Sequence, residues 1–154
     1  MEHGTLEREV QIDAAPETVY EVITRPEHLA EWWPDEAVLD PTPGGEGHLV
    51  FGDPTSPDAH LPRVTVVEAE RPRLFSFRWT HLEGEDARAG NSLLVTFRLI
   101  AHDGGTRLHM VETGFREMGW EVAVLEEQYR DHVSGWDHFL PRLVAYAARV
   151  GVAS

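Results

Sequence analysis

A chain of 154 residues is long enough for one domain around one core, spanning 1–154, and it carries 27 acidic against 13 basic residues, a formal net charge of −14. That field repels nucleic acid and anionic membrane surfaces, so neither is expected as a partner. There is no cysteine and every basic residue is arginine, which excludes disulfides, thiolate zinc sites, cysteine nucleophiles, Schiff bases and lysine general bases.

Residues 6–12 alternate as a first strand, with Leu6, Val10 and Ile12 turned inward. Ala15-Pro16 opens a helix whose proline sits in the first turn, where its missing N–H costs nothing; Val19, Tyr20 and Ile23 form its buried side. Arg25-Pro26 interrupts it, and a second short helix, Glu27 to Glu31, leads into Trp32-Trp33-Pro34. Adjacent tryptophans cannot both point at one small core, so one is expected inside and the other on a cavity wall or rim, with a structural role for both as the alternative.

Short strands follow at 36–40 and 47–52, split by the turn residues Pro41, Pro43, Gly44 and Gly45. Residues 53–60 have loop composition. In the strand 63–69, Val64 and Val66 share one face and Val67 takes the other. In 74–80, Phe75, Phe77 and Trp79 share an aromatic inner face. After a polar loop at 82–90, Leu93, Val95, Phe97 and Leu99 face inward on one strand. Leu108, Met110 and Glu112 share a face on the next, with Asp103-Gly104-Gly105 as the hairpin between them.

The stretch Met118 to Val150 has helical period. Met118, Val122, Leu125, Tyr129, His132, Trp136, Phe139, Leu140, Leu143, Ala147 and Val150 fall within an arc of about 120°. Such a helix is roughly 48 Å long, so it must cross the whole body and lie on a sheet. Gly135 beside the stripe predicts close packing against a strand. On that reading Gly135→Leu destabilises, because overpacking at about 1–3 kcal/mol outweighs the gain in helix propensity. Pro141 falls on the solvent face and is compatible with a bent helix; a break near Ser134 is the alternative. No apolar run is long enough to span a bilayer and no signal-peptide pattern is present, so a cytoplasmic location is expected.

Sequential strands with short turns imply an antiparallel sheet, and with one long helix an α+β arrangement. Several stretches carry a resemblance: Ala15-Pro16 with Val19-Tyr20, Leu29-Ala30-Glu31-Trp32-Trp33, Val67-Glu68-Ala69-Glu70-Arg71-Pro72, and Phe77-Arg78-Trp79. Gly105-Thr106-Arg107-Leu108, Gly114-Phe115, and Gly135-Trp136 with Phe139-Leu140 and Leu143 complete it. In their order and spacing they resemble the START-like (SRPBCC, Bet v-type) helix-grip superfamily. Within it, the chain is similar to homologues of the heat-shock-protein-90 ATPase activator. The resemblance implies a curved antiparallel sheet of six or seven strands around a long C-terminal helix, two short helices between strands 1 and 2, and an apolar cavity. It implies ligand-binding or co-chaperone-like members, with polyketide cyclases among more distant relatives, and supports a fold more strongly than an activity. The long segment Glu117 to Val133 and Pro141 depart from the usual pattern.

No nucleophile elbow, P-loop or dinucleotide-binding glycine pattern occurs, and the nine histidines form no metal-binding pair on a helix face. No metal, cofactor or covalent intermediate is expected. His132 on the apolar stripe is expected to bond backbone; the sharper reading projects it into the cavity. Glu112 either lies in water at the sheet's end or points into the pocket mouth, where it could anchor a ligand or act as a base.

The favoured function is binding of a hydrophobic small molecule, without defined catalysis. The expected ligand-binding residues are Trp33, Phe51, Phe77, Trp79, Phe97, Met110, Glu112, His132 and Trp136. The alternative is an interaction module acting on a partner ATPase, and a polyketide cyclase-like enzyme is the third reading. The residues leave a homodimer open.

Overall fold

A computed structural model describes residues 4–53, 55–81 and 85–153 of the chain. Strand β1 (Thr5–Ile12) is followed by helices α1 (Pro16–Thr24) and α2 (Pro26–Trp32). Strands β2 (Glu36–Leu39), β3 (Glu46–Val50), β4 (Arg63–Glu70), β5 (Leu74–Trp79), β6 (Leu93–His102) and β7 (Gly105–Thr113) come next, then helix α3 (Val122–Ala153). The predicted loop at 82–90 lies partly outside the described residues, at 82–84.

All seven strands form one antiparallel sheet in the order β1-β7-β6-β5-β4-β3-β2. Strands β1 and β2 are its two edges, so the α1–α2 connection spans the full width of the sheet. Arg25 both ends α1 and starts α2, at φ −85° and ψ 131°. The following proline disfavours helical geometry at that residue and forces the break. This is the α+β helix-grip architecture, with the sheet closing on α3.

The inward faces follow the strand period. Leu93, Val95, Phe97 and Leu99 are buried on β6, and Phe75, Phe77 and Trp79 on β5. A register shift between Val66 and Glu68 leaves Val67 exposed on the outer side. On α3, Leu125, Trp136, Leu140, Leu143 and Ala147 are buried against the sheet and α1–α2.

The long helix differs from expectation at its start. Arg116–Met118 form a separate 3₁₀ turn, and Gly119 takes a left-handed φ of 75°. That conformation ends the turn. The α-helix begins only at Val122, and Val122 is exposed rather than on the buried stripe. From there α3 runs without interruption through Ser134, Gly135 and the exposed Pro141. Gly135 does not pack against a strand: a Cβ built there meets nothing within 4 Å. The overpacking argument for Gly135→Leu therefore fails. Propensity alone decides, and replacement should leave stability equal or raise it by somewhat under 1 kcal/mol.

His81, just after β5, is buried with Nε2 3.1 Å from Thr65 Oγ1. Desolvation pushes its pKa below the ordinary imidazole value and the charge of Arg63 adds to this, against the opposing fields of Glu46 and Glu85. With the folded pKa lowered, the unfolded chain takes up the proton first as pH falls. The contribution of His81 to stability is complete above about pH 6.5 and is lost as pH falls from there through the folded value. Urea denaturation across this range should show a shallower loss for His81→Gln than for the wild type. Parallel curves would contradict the assignment.

Candidate functional site

The centre of the site is a carboxylate where the sheet should be apolar. Leu6, Glu112, Val95, Phe77 and Val66 are paired in register and form one row across β1, β7, β6, β5 and β4. All five are buried, and Glu112 is 0% exposed. Placing a carboxyl group in such a row is costly unless every acceptor site is used. Glu112 Oε2 accepts the indole N–H of Trp79 at 2.7 Å, and Oε1 accepts that of Trp136 at 2.9 Å. Nδ1 of His132 lies 2.8 Å from the same Oε1. Among the described residues His132 is its one ionisable partner.

Indole nitrogens can only donate, so both tryptophans fix Glu112 as an acceptor. A carboxylate that already accepts two indole N–H groups is matched by a third donor, Nδ1–H of His132, and in that neutral tautomer Nε2 carries the lone pair. The imidazole ring is also clamped by edge contacts, with Trp79 at 5.4 Å and Phe115 at 5.3 Å between ring centres. The expected backbone bond of His132 is thus replaced by a side-chain pair. Glu112 lies neither in water at the sheet's end nor in the cavity mouth, but directly behind the histidine.

In front of this group lies a cavity of about 370 Å³ between α3, the end of α2 and the sheet. Its walls are Trp33, Phe51, Trp79, Trp136 and Phe139, and its polar lining is His60, Gln128, Asp131 and His132, with Gly135 alongside. The α3 members recur at steps of three and four, so one helix face supplies them all. The absent side chain at Gly135 leaves room there. The two adjacent tryptophans divide: Trp32 is fully buried, donating Nε1–H to the Val22 carbonyl at 3.0 Å, and Trp33 turns to the cavity.

Phe51 is held by a bridge to His60, with backbone bonds of 2.8 and 2.9 Å in the two directions. This brings His60 from the 53–60 loop to the cavity's edge. His60 reaches solvent, yet desolvation lowers its pKa, and the field of His132 lowers it further.

Of the residues expected at the site, Trp33, Phe51, Trp79, His132 and Trp136 line the cavity. Phe77, Phe97 and Met110 do not; they are buried in the core behind it. Phe77 backs Trp33 at 5.9 Å and Trp79 at 6.2 Å, and Phe97 backs Trp136 at 6.0 Å. The expected site residues did not include His60, Gln128, Asp131, Gly135 or Phe139, which also line the cavity. Gln128, Asp131 and Gly135 form a polar and small stripe beside the apolar one that holds His132, a signal that could have marked a face left unpacked. For His60 no local signal exists.

The family described as "Activator of Hsp90 ATPase homolog 1-like protein" matches residues 13–148. Among solved structures, the chain is similar to protein MLL2253 from Mesorhizobium loti, at TM-score 0.74 and 23% identity, over 94% of this chain and 97% of that one. It is similar to protein NE0264 from Nitrosomonas europaea, at TM-score 0.75 and 16% identity, over 96% of each chain. DynU16, from the dynemicin biosynthetic locus, matches at TM-score 0.69 and 22% identity, over 93% of this chain and 46% of its own. Likenesses at such identity show the fold alone. The comparison with curated proteins finds no match. Among the described residues, no helix is long and apolar enough to cross a membrane.

Proposed function

The chain belongs to the family of activator of Hsp90 ATPase homolog 1-like proteins, and from that premise we propose that it is a small-molecule-binding domain whose cavity takes an apolar or aromatic ligand with one polar group set against His132. The observation that carries this reading is the Glu112–His132 pair behind an aromatic-walled space of about 370 Å³. Ligand sites are typically apolar hollows of several hundred Å³ with a few fixed polar groups, and this one has that composition. A filled core would not require a carboxylate behind its aromatic wall.

The family name also points to action on a partner ATPase. That reading needs an outward apolar surface. Among the described residues, the large exposed apolar side chains are Val38 on β2, Leu61 in the β3–β4 connection, Val67 on β4, Ile100 on β6, Val122 and Val124 at the start of α3 and Val152 at its end. The cavity is therefore the better-supported site.

Titration with a set of aromatic fragments tests the proposal through tryptophan emission, since Trp33, Trp79 and Trp136 all line the space. Binding should quench or shift the emission. Gly135→Leu, whose side chain enters the space, should weaken every hit by about tenfold or more, the equivalent of 1.4 kcal/mol. Its denaturation midpoint should stay level or rise. Hits that bind the leucine variant as well as the wild type would place the ligand elsewhere. A set that leaves emission and melting temperature unchanged would favour the partner-protein reading.

A further inference from the structure

We propose that the site is catalytic: His132 is a general base that moves a proton at the carbon next to a carbonyl group, in a flat aromatic ketone, and Glu112 is its positioning residue. This rests on the binding reading above and extends it from a receptor to an enzyme of proton transfer.

A ligand anchor alone does not account for Glu112. A serine, threonine or amide in place of His132 would hold a polar ligand group without placing a carboxylate in an apolar row. A carboxylate on the far nitrogen of an imidazole has two chemical effects. It fixes the tautomer that presents a lone pair, and it stabilises the imidazolium formed when that lone pair takes a proton. Here the two indole donors match an accepting Glu112, with which the tautomer carrying Nδ1–H toward the carboxylate is the complementary one, and in that tautomer Nε2 is the basic atom. No other described residue bonds Nε2. The ring is clamped between Trp79 and Phe115, so the base is held in place before substrate arrives.

The enolate oxygen needs a donor. Gln128 lies one turn before His132 on the same face of α3 and lines the same cavity. Side chains at this spacing are neighbours, about 5–6 Å apart at Cβ. Its amide has no hydrogen-bond partner among the described residues. The titratable groups facing His132 are Glu112 from β7, His60 from the β3–β4 connection, and Asp131 beside it on α3.

In the step itself, the α C–H bond breaks and an Nε2–H bond forms. The C–H electron pair becomes the enolate double bond while the carbonyl pair moves onto oxygen, which the Gln128 amide N–H holds. The imidazolium rests against Glu112. The proton then returns to the same carbon, or to a conjugated one, and the base is restored. The cycle needs no co-reactant. An aromatic wall suits a planar enolate.

The test follows exchange of the α-protons of 2-tetralone in D₂O by proton NMR, with tryptophan emission recording binding in the same samples. The wild type should exceed buffer containing equimolar imidazole by about 100-fold. His132→Gln should fall to the buffer rate with 2-tetralone still bound, and Gln128→Leu, a change on a half-buried helix position, should fall by about tenfold or more. Glu112→Gln should lower the rate per bound ketone and shift its pH profile, whereas a purely structural role would lower only the amount bound. Bound 2-tetralone that exchanges at the buffer rate would overturn this inference and leave the binding reading standing. His132→Gln exchanging as fast as the wild type would also overturn it. Failure of 2-tetralone, 2-indanone and 1-indanone all to bind would remove aromatic ketones as substrates and count against both readings.

Discussion

Glu112→Leu is expected to destabilise the protein by about 3–4 kcal/mol, although leucine is far the more usual residue in a buried strand row. The substitution removes the acceptor for Trp79 Nε1, Trp136 Nε1 and His132 Nδ1 together. Each buried donor left unpaired costs about 1–3 kcal/mol. Burying leucine returns only about 2 kcal/mol. At about 2–4 °C per kcal/mol for a chain of this size, the melting temperature should drop by roughly 10 °C. The cost should depend on the donors: adding Trp79→Phe and Trp136→Phe to the leucine variant removes two of them, and part of the loss should return. Equal melting temperatures for Glu112→Leu and the wild type would mean that the carboxylate is not held as described.

Trp136→Ala is the second large effect. The ring is 2% exposed and packs on Trp33 at 5.2 Å, Phe97 at 6.0 Å and Trp79 at 6.2 Å. Truncating a buried tryptophan costs about 3–5 kcal/mol through lost burial and the space left behind. Here the carboxylate also loses a donor. Against a total stability of roughly 5–15 kcal/mol, the variant stays folded only if the wild type is not at the low end. Trp136→Phe separates the contributions, since it keeps an aromatic ring and loses the N–H. It should cost about 1–2 kcal/mol. In whichever variant is folded by circular dichroism, fragment affinity should fall by more than about 1 kcal/mol for alanine and less for phenylalanine. A folded alanine variant with unchanged affinity for every fragment would move the binding site away from Trp136.

The elements and their inner faces were legible because strand and helix periods are local. Leu93, Val95, Phe97 and Leu99 alternate on β6 and are buried as read, and α1, α2 and the seven strands lie where the turn residues divide them. Local pattern misjudged α3 at its start: Val122 fits the helical phase, but the left-handed Gly119 ends the preceding turn and Val122 is the exposed first residue of the helix. It also misjudged Gly135. A glycine beside an apolar stripe is compatible with close contact and with an opening, and only the neighbours across the helix distinguish them. Phe77, Phe97 and Met110 share the inward periodicity of Trp79, but their depth in the core was not written in that periodicity.

By itself, then, the sequence determined the order of the elements and which side chains face inward, since each depends on residues a few positions apart, while the helix-grip architecture and the family were legible through the resemblance carried by motifs along the whole chain. Tertiary structure alone decided what those inward positions do. Glu112 was readable only as an acid on an apolar face. Its row partners Leu6 and Val95 come from other strands, and its donors Trp79, His132 and Trp136 come from β5 and α3. Whether a buried carboxyl group is a cost or a working group depends on those donors, and hydrogen bonds between distant segments leave no period in a chain. The same holds for the cavity: it is the space that Gly135, Trp33 and the Phe51–His60 bridge leave unfilled, and an empty volume belongs to no residue's own sequence.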